Sequence, residues 1–325
     1  MRAVASLLLC LALTSHGLKV KQDTSYESVQ ELKSLAALLL ASNPAIAWQT
    51  AGARVGAHPR DARHRPLCIL ARTAATARSG RIVCGWGPDP VWTSLEVDSI
   101  EDAADGLKAI VIKPPQGTPE GYETPGQYVQ IREPGAEKAG FFAIASPPDA
   151  DPFEFLIKET PASDWSPGTG WLTGSKKGTA LEMSQVMGGG FKVADLLSDV
   201  DRVLLFAAGS GISPIRSAIE SGMLKNKEVE LYYGAQTPAQ MAYASKFDEW
   251  KKLGIDVTPV ISKPEGTDWS GKTGYVQDVA KEAGAASKSP AKTAVLLCGM
   301  KGMAEGVKAL CTDAGIDEAR VLTNF

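Results

Sequence analysis

Histidine and cysteine are scarce where they would matter most in this 325-residue chain. All three histidines, His16, His58 and His64, precede Trp92, and only Cys298 and Cys311 of the five cysteines follow it. The stretch from Trp92 to Phe325 therefore cannot build a histidine-based triad or a histidine- or cysteine-rich metal site, and no metal is expected. Five cysteines, odd in number and without framework spacing, disfavour a disulfide-stapled secreted domain. Internal repeats and low-complexity tracts are lacking, and so is any apolar stretch long enough for an integral membrane segment in the mature chain. Charge of one sign is lacking only in sum. The net charge is −3, but residues 1–90 hold 11 Lys and Arg against 5 Asp and Glu, and the rest holds 23 against 32. An acidic body excludes nucleic acid as a partner and is poorly suited to steering in an acidic ferredoxin.

The first 90 residues read as an address. Arg2, the apolar run Ala3 to Leu13 and the small residues Ser15 and Gly17 have the shape of a signal peptide, assigned to 1–17. Ala51 to Arg81 carries seven arginines against the single acid Asp61, which is transit-peptide composition, so 18–90 is expected to be a disordered presequence. A signal followed by a transit region resembles the bipartite presequences of algae with complex plastids, which implies a plastid (chloroplast) location. A secretory or endomembrane protein with a disordered extension is the alternative.

What is present is most informative at residues 203–219, VLLFAAGSGISPIRSAI. Val203 to Ala207 make a buried strand, Gly209-Ser210-Gly211 allow a tight turn and close approach to a ligand, and Ile212, Ser213 and Pro214 open a helix. A strand, a glycine turn and a helix N-terminus together suit a nucleotide phosphate. Plain architecture is the alternative, because the third glycine of the dinucleotide fingerprint is missing. Three further strand-helix pairs follow: Val229 to Tyr233 with Met241 to Leu253, Val257 to Ile261 with Val276 to Ala283, and Ala294 to Leu297 with Met303 to Ala314. They imply a parallel sheet with ligands at the carboxyl ends of its strands. Upstream, short apolar runs between Gly and Pro punctuation (Leu107 to Ile112, Tyr128 to Ile131, Phe141 to Ala145, Phe153 to Ile157 and Ala180 to Met183) suggest a small antiparallel barrel. The expected fold is thus a two-domain α+β chain. A six-stranded antiparallel β-barrel occupies 91–195, and a Rossmann-like α/β domain 196–325.

PGQYVQI, FFAIASPP, LLFAAGSGISPI, YYGAQ and LCGMKGM occur in the order of, and the chain resembles, the ferredoxin-NADP reductase superfamily. From Trp92 onward it is more narrowly similar to plant and algal plastid reductase-like proteins of the kiwifruit "fruit protein" group. The resemblance implies a flavoenzyme that passes hydride between NADPH and FAD and hands electrons to an unidentified acceptor or partner protein. It departs from the flavin signature Arg-x-Tyr-Ser, which here reads Gly140, Phe142 and Ala143, followed by Ile144, Ala145 and Ser146. Phe142 is expected to keep the stacking, while the arginine and serine contacts are lost. Ser166, Gly168 and Thr169 open a short helix that the family places at the flavin pyrophosphate, or else simply start a surface turn. Ser262, Lys263, Tyr275 and Gln277 take the places that grip the adenosine 2′-phosphate, with Lys263 giving charge without arginine's fork. Cys298, Gly299 and Met300 occupy the loop beside the nicotinamide, where Cys298 is a catalytic-wall residue or merely a small hydrophobe. Phe325 is a candidate aromatic cover for the flavin. The alternative function is a non-catalytic, flavin-poor descendant serving as an NADP-binding, assembly or redox-sensing subunit.

Overall fold

A computed structural model describes residues 89–115, 121–161 and 168–324, all within one compact unit, 81–325. Residues 1–88, which hold the signal region and all but the last two residues of the transit region, lie outside the described residues, as do Ser166 and Phe325.

Strand β1 (Thr93–Ala104) alternates polar and apolar residues, and two bulges, between Val97 and Ser99 and between Asp102 and Ala104, bend it. Its first half pairs with β6 (Ala180–Met183) and its second with β2 (Leu107–Ile112), across a turn that Gly106 makes at φ +68°. The remaining strands are β3 (Tyr128–Arg132), β4 (Gly140–Ala143) and β5 (Phe153–Lys158). All pairings are antiparallel, in the order β4-β3-β6-β1-β2-β5. Val129, Ile131, Phe142 and Phe155 fill the interior, and Leu172 of the short helix α1 (Thr169–Thr173) joins them. The six-stranded barrel anticipated from the sequence is present. Only β1 was not anticipated, because its charged alternation hides the apolar face.

Helix α2 (Ala194–Asp199) leads into the parallel sheet. Its strands are β7 (Arg202–Ala208), β8 (Glu228–Ala235), β9 (Ile255–Ile261), β10 (Lys272–Thr273), β11 (Thr293–Cys298) and β12 (Val321–Thr323), ordered β10-β9-β8-β7-β11-β12. Successive β7 residues face opposite ways. Val203, Leu205 and Ala207 pack toward α3 (Ile212–Glu220) and α4 (Phe247–Lys252). Leu204 and Phe206 pack toward α5 (Val276–Glu282) and α6 (Lys301–Ala314). Leu107 and Leu156 of the barrel belong to the first cluster, so one apolar core joins both halves. The helix expected at Met241 to Leu253 is shortened to α4, because Tyr243 adopts a left-handed conformation at φ +59° that a helix cannot continue through.

Candidate functional site

The parallel sheet reverses its strand order between β7 and β11, since the chain leaves β7 toward β8 and returns on the other side as β11. A crevice at the carboxyl ends of two such strands is where open α/β sheets take ligands. The glycine turn lies there. Gly209 sits at φ +55°, a conformation open to glycine at little cost. Gly211 is helical at φ −63°, and its need is contact rather than conformation. A methyl group on it would stand 2.7 Å from the carbonyl carbon of Cys298 and 3.0 Å from Cα of Gly299. Gly299 is pressed from the other side, where a methyl would meet Met303 Cε at 2.8 Å and Ala208 Cβ at 3.2 Å. Two loops far apart in sequence thus touch backbone to backbone. The Tyr233 hydroxyl braces the turn by donating to the Gly209 carbonyl at 3.2 Å. Among the described residues no side chain caps α3, but Pro214 has no N–H and the Ile212 N–H bonds back to the Gly209 and Ser210 carbonyls, so the glycine turn rather than α3 itself is the place for an anion. Ile212, Ser213 and Pro214 are buried, leaving Gly209, Ser210 and Gly211 as the accessible part of the motif.

Cys298 is buried at the end of β11, and burial pushes its thiol up to about 12. It stays protonated at neutral pH, so it can line the crevice but not attack as a thiolate. Met300 is exposed at the head of α6.

Farther along the same edge, the Ser262 and Lys263 N–H groups donate to the Ala235 and Gln236 carbonyls at 3.0 and 2.8 Å, tying the loops after β8 and β9 together. Among the described residues the exposed Lys263 ammonium reaches only Gln236 Oε1, at 3.4 Å. Tyr275, 61% exposed, stands at the N-cap position of α5 without a side-chain capping bond. Gln277 points elsewhere: its side chain packs on Gly306 of α6, and its Oε1 is buried without a partner. A cleft of about 590 Å³ opens between Thr237, Pro238 and Ala239 after β8 and Gly266 to Trp269 after β9. No sequence motif marks those lining residues.

On the barrel, the phase of β4 is decisive. Gly140 and Phe142 pair with Ile131 and Val129, all facing inward, whereas Phe141 and Ala143 pair with Gln130 and Tyr128 facing out. Phe142 is 8% exposed in the barrel core and Phe141 is 63% exposed. The Phe142 ring covers Gly140, where a methyl would lie 2.6 Å from its Cζ. The presented aromatic surface is Phe141 with Tyr128, ring centroids 5.6 Å apart. Ile144, Ala145 and Ser146 are buried, and Ser146 serves the framework by accepting from the Glu154 N–H at 3.1 Å and, through its carbonyl, from the Tyr122 hydroxyl at 2.8 Å. Gly168 heads α1 close to β4: a methyl on it would be 3.6 Å from the Gly140 nitrogen. Thr169 is buried beside it. Asn324 packs against the barrel at Gly126, and its buried Oδ1 has no partner among the described residues.

A barrel with an exposed aromatic edge, joined to a parallel sheet with a glycine turn at its switch point, defines a two-domain pyridine-nucleotide oxidoreductase. Residues 205–309 match the oxidoreductase NAD-binding domain family. Over 249 residues the chain is 34% identical to fruit protein pKIWI502 of Actinidia deliciosa, covering 71% of this chain and 76% of that protein. NADH-cytochrome b5 reductase 1 of Candida glabrata is 28% identical over 181 residues, 53% of this chain and 60% of the relative. The solved ferredoxin NADP+ reductase from Neisseria gonorrhoeae with bound FAD and NADP has the same fold, with a TM-score of 0.61 at 15% identity over 72% of this chain and 99% of that one. The chain belongs to the ferredoxin-NADP reductase superfamily, alongside the kiwifruit fruit protein.

Proposed function

We propose that this oxidoreductase oxidises NADPH and passes the electrons by way of bound FAD to a partner protein or other acceptor. One observation carries the reading: Gly211 packs against Cys298 and Gly299, so the glycine turn and the loop after β11 meet at the carboxyl ends of β7 and β11. The accessible backbone of Gly209, Ser210 and Gly211 holds the nucleotide phosphates. Ser262, Lys263 and Tyr275 grip the 2′-phosphate and favour NADPH over NADH. The protonated, buried Cys298 forms a wall that excludes water without competing chemistry.

The residues fit a flavin ring better than a flavin phosphate. The exposed Phe141, tilted against the half-buried Tyr128, offers an aromatic face. At the phosphate, Gly140 gives no arginine, and a lost charge-assisted hydrogen bond costs about 1.5–3 kcal/mol, offset in part by the head of α1 at Gly168. When bound, the flavin supplies the hydride acceptor. A second reading, a flavin-poor descendant that keeps NADP, draws support from the Phe142 ring lying over Gly140. Absorbance of the purified protein decides between them. A yellow protein bleached by NADPH without oxygen supports the reductase, and a protein colourless after incubation with excess FAD refutes it.

The N-terminal composition extends the proposal to plastid import, with removal of residues 1 to about 90. N-terminal sequencing of the protein from isolated plastids tests this, and an intact Met1 to Arg81 region there would sink it. Among the described residues no helix is long and apolar enough to cross a membrane.

A further inference from the structure

Helix α3 turns a polar face toward the barrel. Ser213, Arg216, Ser217 and Glu220 recur at helical spacing, and the first three are among the most buried polar residues described. Each finds a partner outside the helix. Ser213 Oγ donates to the Leu156 carbonyl of β5 at 3.4 Å. The Arg216 guanidinium pairs with Glu154 of β5 and lies 4.5 Å over the Tyr243 ring. Ser217 Oγ and the Tyr122 hydroxyl share a 2.5 Å hydrogen bond. Tyr243 closes the set by donating to the same Glu154 oxygen at 3.0 Å, and Glu220 holds Arg216 from behind at 3.0 Å while accepting from Trp250 at 3.1 Å.

A buried ion pair contributes little net stability, because desolvating both charges offsets their attraction. Its geometric effect is larger: a planar guanidinium held by carboxylates on two sides and stacked on a ring admits one register, whereas apolar packing tolerates sliding. Glu154 is also tied to the segment after β4, through Ala145 N–H to its carbonyl at 2.7 Å and its own N–H to Ser146 Oγ. Glu154 therefore links the barrel edge to the helix that begins at the glycine turn.

We propose that Arg216 and Glu154 are positioning residues that set the stance of α3, and with it the glycine turn, relative to the barrel edge. The functional consequence rests on the reading of that turn as the nucleotide site: the pair governs the alignment of nicotinamide with the flavin, and not nucleotide affinity. The test uses the full-length protein with Glu154→Gln and, separately, Arg216→Lys. Glu154→Gln keeps volume and the acceptor for Tyr243, and Arg216 retains Glu220, so the chain keeps its fold.

Hydrogen exchange is read first, with no need for flavin. Amides of residues 153–158 and 212–220 are expected to exchange at least tenfold faster, while those of β11 and α6 stay within twofold of wild type. Unchanged exchange at both segments, or equal acceleration in β11 and α6, overturns the proposal. Anaerobic mixing with NADPH follows, with flavin reduction expected to slow at least tenfold at an NADPH Kd within twofold of wild type. Wild-type reduction rates in both variants overturn it as well. If wild-type protein is not reduced by NADPH, the reductase reading fails, and the exchange result still judges the positioning pair.

Discussion

Gly211→Ala isolates the contact between the two crevice loops. The backbone there is helical at φ −63°, so alanine meets no conformational penalty and would by itself stabilise by about 0.4–1 kcal/mol through the unfolded chain. Against this stands the new methyl, 2.7 Å from the Cys298 carbonyl carbon and 3.0 Å from Gly299 Cα. Both neighbours are backbone, and Gly299 is itself backed by Met303 and Ala208, so no side chain can swing aside. Relief requires the loops to part by about 1 Å, and overpacking of this kind costs about 1–3 kcal/mol. The net loss runs from about 0 to 2.6 kcal/mol and centres near 1.3, which for a domain pair of this size lowers Tm by about 3–5 °C. NADPH affinity should fall with it, because the parted loops line the crevice. Gly209→Ala is the control: it has open space around it but φ +55°, so it costs about 1–2 kcal/mol of strain without moving Cys298. Scanning calorimetry and nucleotide titration of both variants provide the check. A Gly211→Ala protein with wild-type Tm and NADPH affinity would refute the packing at the switch point.

Lys263→Ala should remove most of the preference for NADPH over NADH, about 1–2 kcal/mol for an exposed charge-assisted contact, as read by titrating both nucleotides; equal wild-type affinities would reject the assignment of Ser262, Lys263 and Tyr275. Phe142→Ala should cost the barrel about 3–5 kcal/mol with its core position, whereas Phe141→Ala should leave Tm nearly unchanged and loosen flavin; denaturation and flavin-release assays check this, and the reverse pattern would place the flavin on the other face of β4. Stability should decline as pH rises above about 9. Burial raises the folded-state values of Cys298 to about 12, of Cys311 to about 11, and of Tyr122, Tyr233 and Tyr243 as well. The unfolded chain therefore binds fewer protons in that range and gains as pH increases, so denaturant midpoints flat from pH 8 to 11 would contradict the burial of these groups.

Local chemistry was enough to reveal the four central strands of the parallel sheet, whereas β10 and β12, two and three residues long, are too short to carry a pattern. The apolar run of β7, the glycine turn and the first turn of α3 each carry their signal within a few residues, and a period of 3.6 after a buried strand admits few alternatives. The barrel strands were likewise legible from short runs between Gly and Pro, except β1, whose exposed face is charged. Three things depended on the tertiary structure. The phase of β4 was ambiguous in Gly140-Phe141-Phe142-Ala143, because two adjacent aromatics satisfy either alternation and only pairing with Val129 and Ile131 turns Phe142 inward. Gln277 was placed by the motif with Tyr275, yet packing against Gly306 turns it to α6. Arg216, Glu154 and Tyr243 lie far apart along the chain, and each alone resembles a solvated surface group. A long-range contact leaves no trace in local periodicity, so a buried charge can be recognised only when folding brings its partner to it.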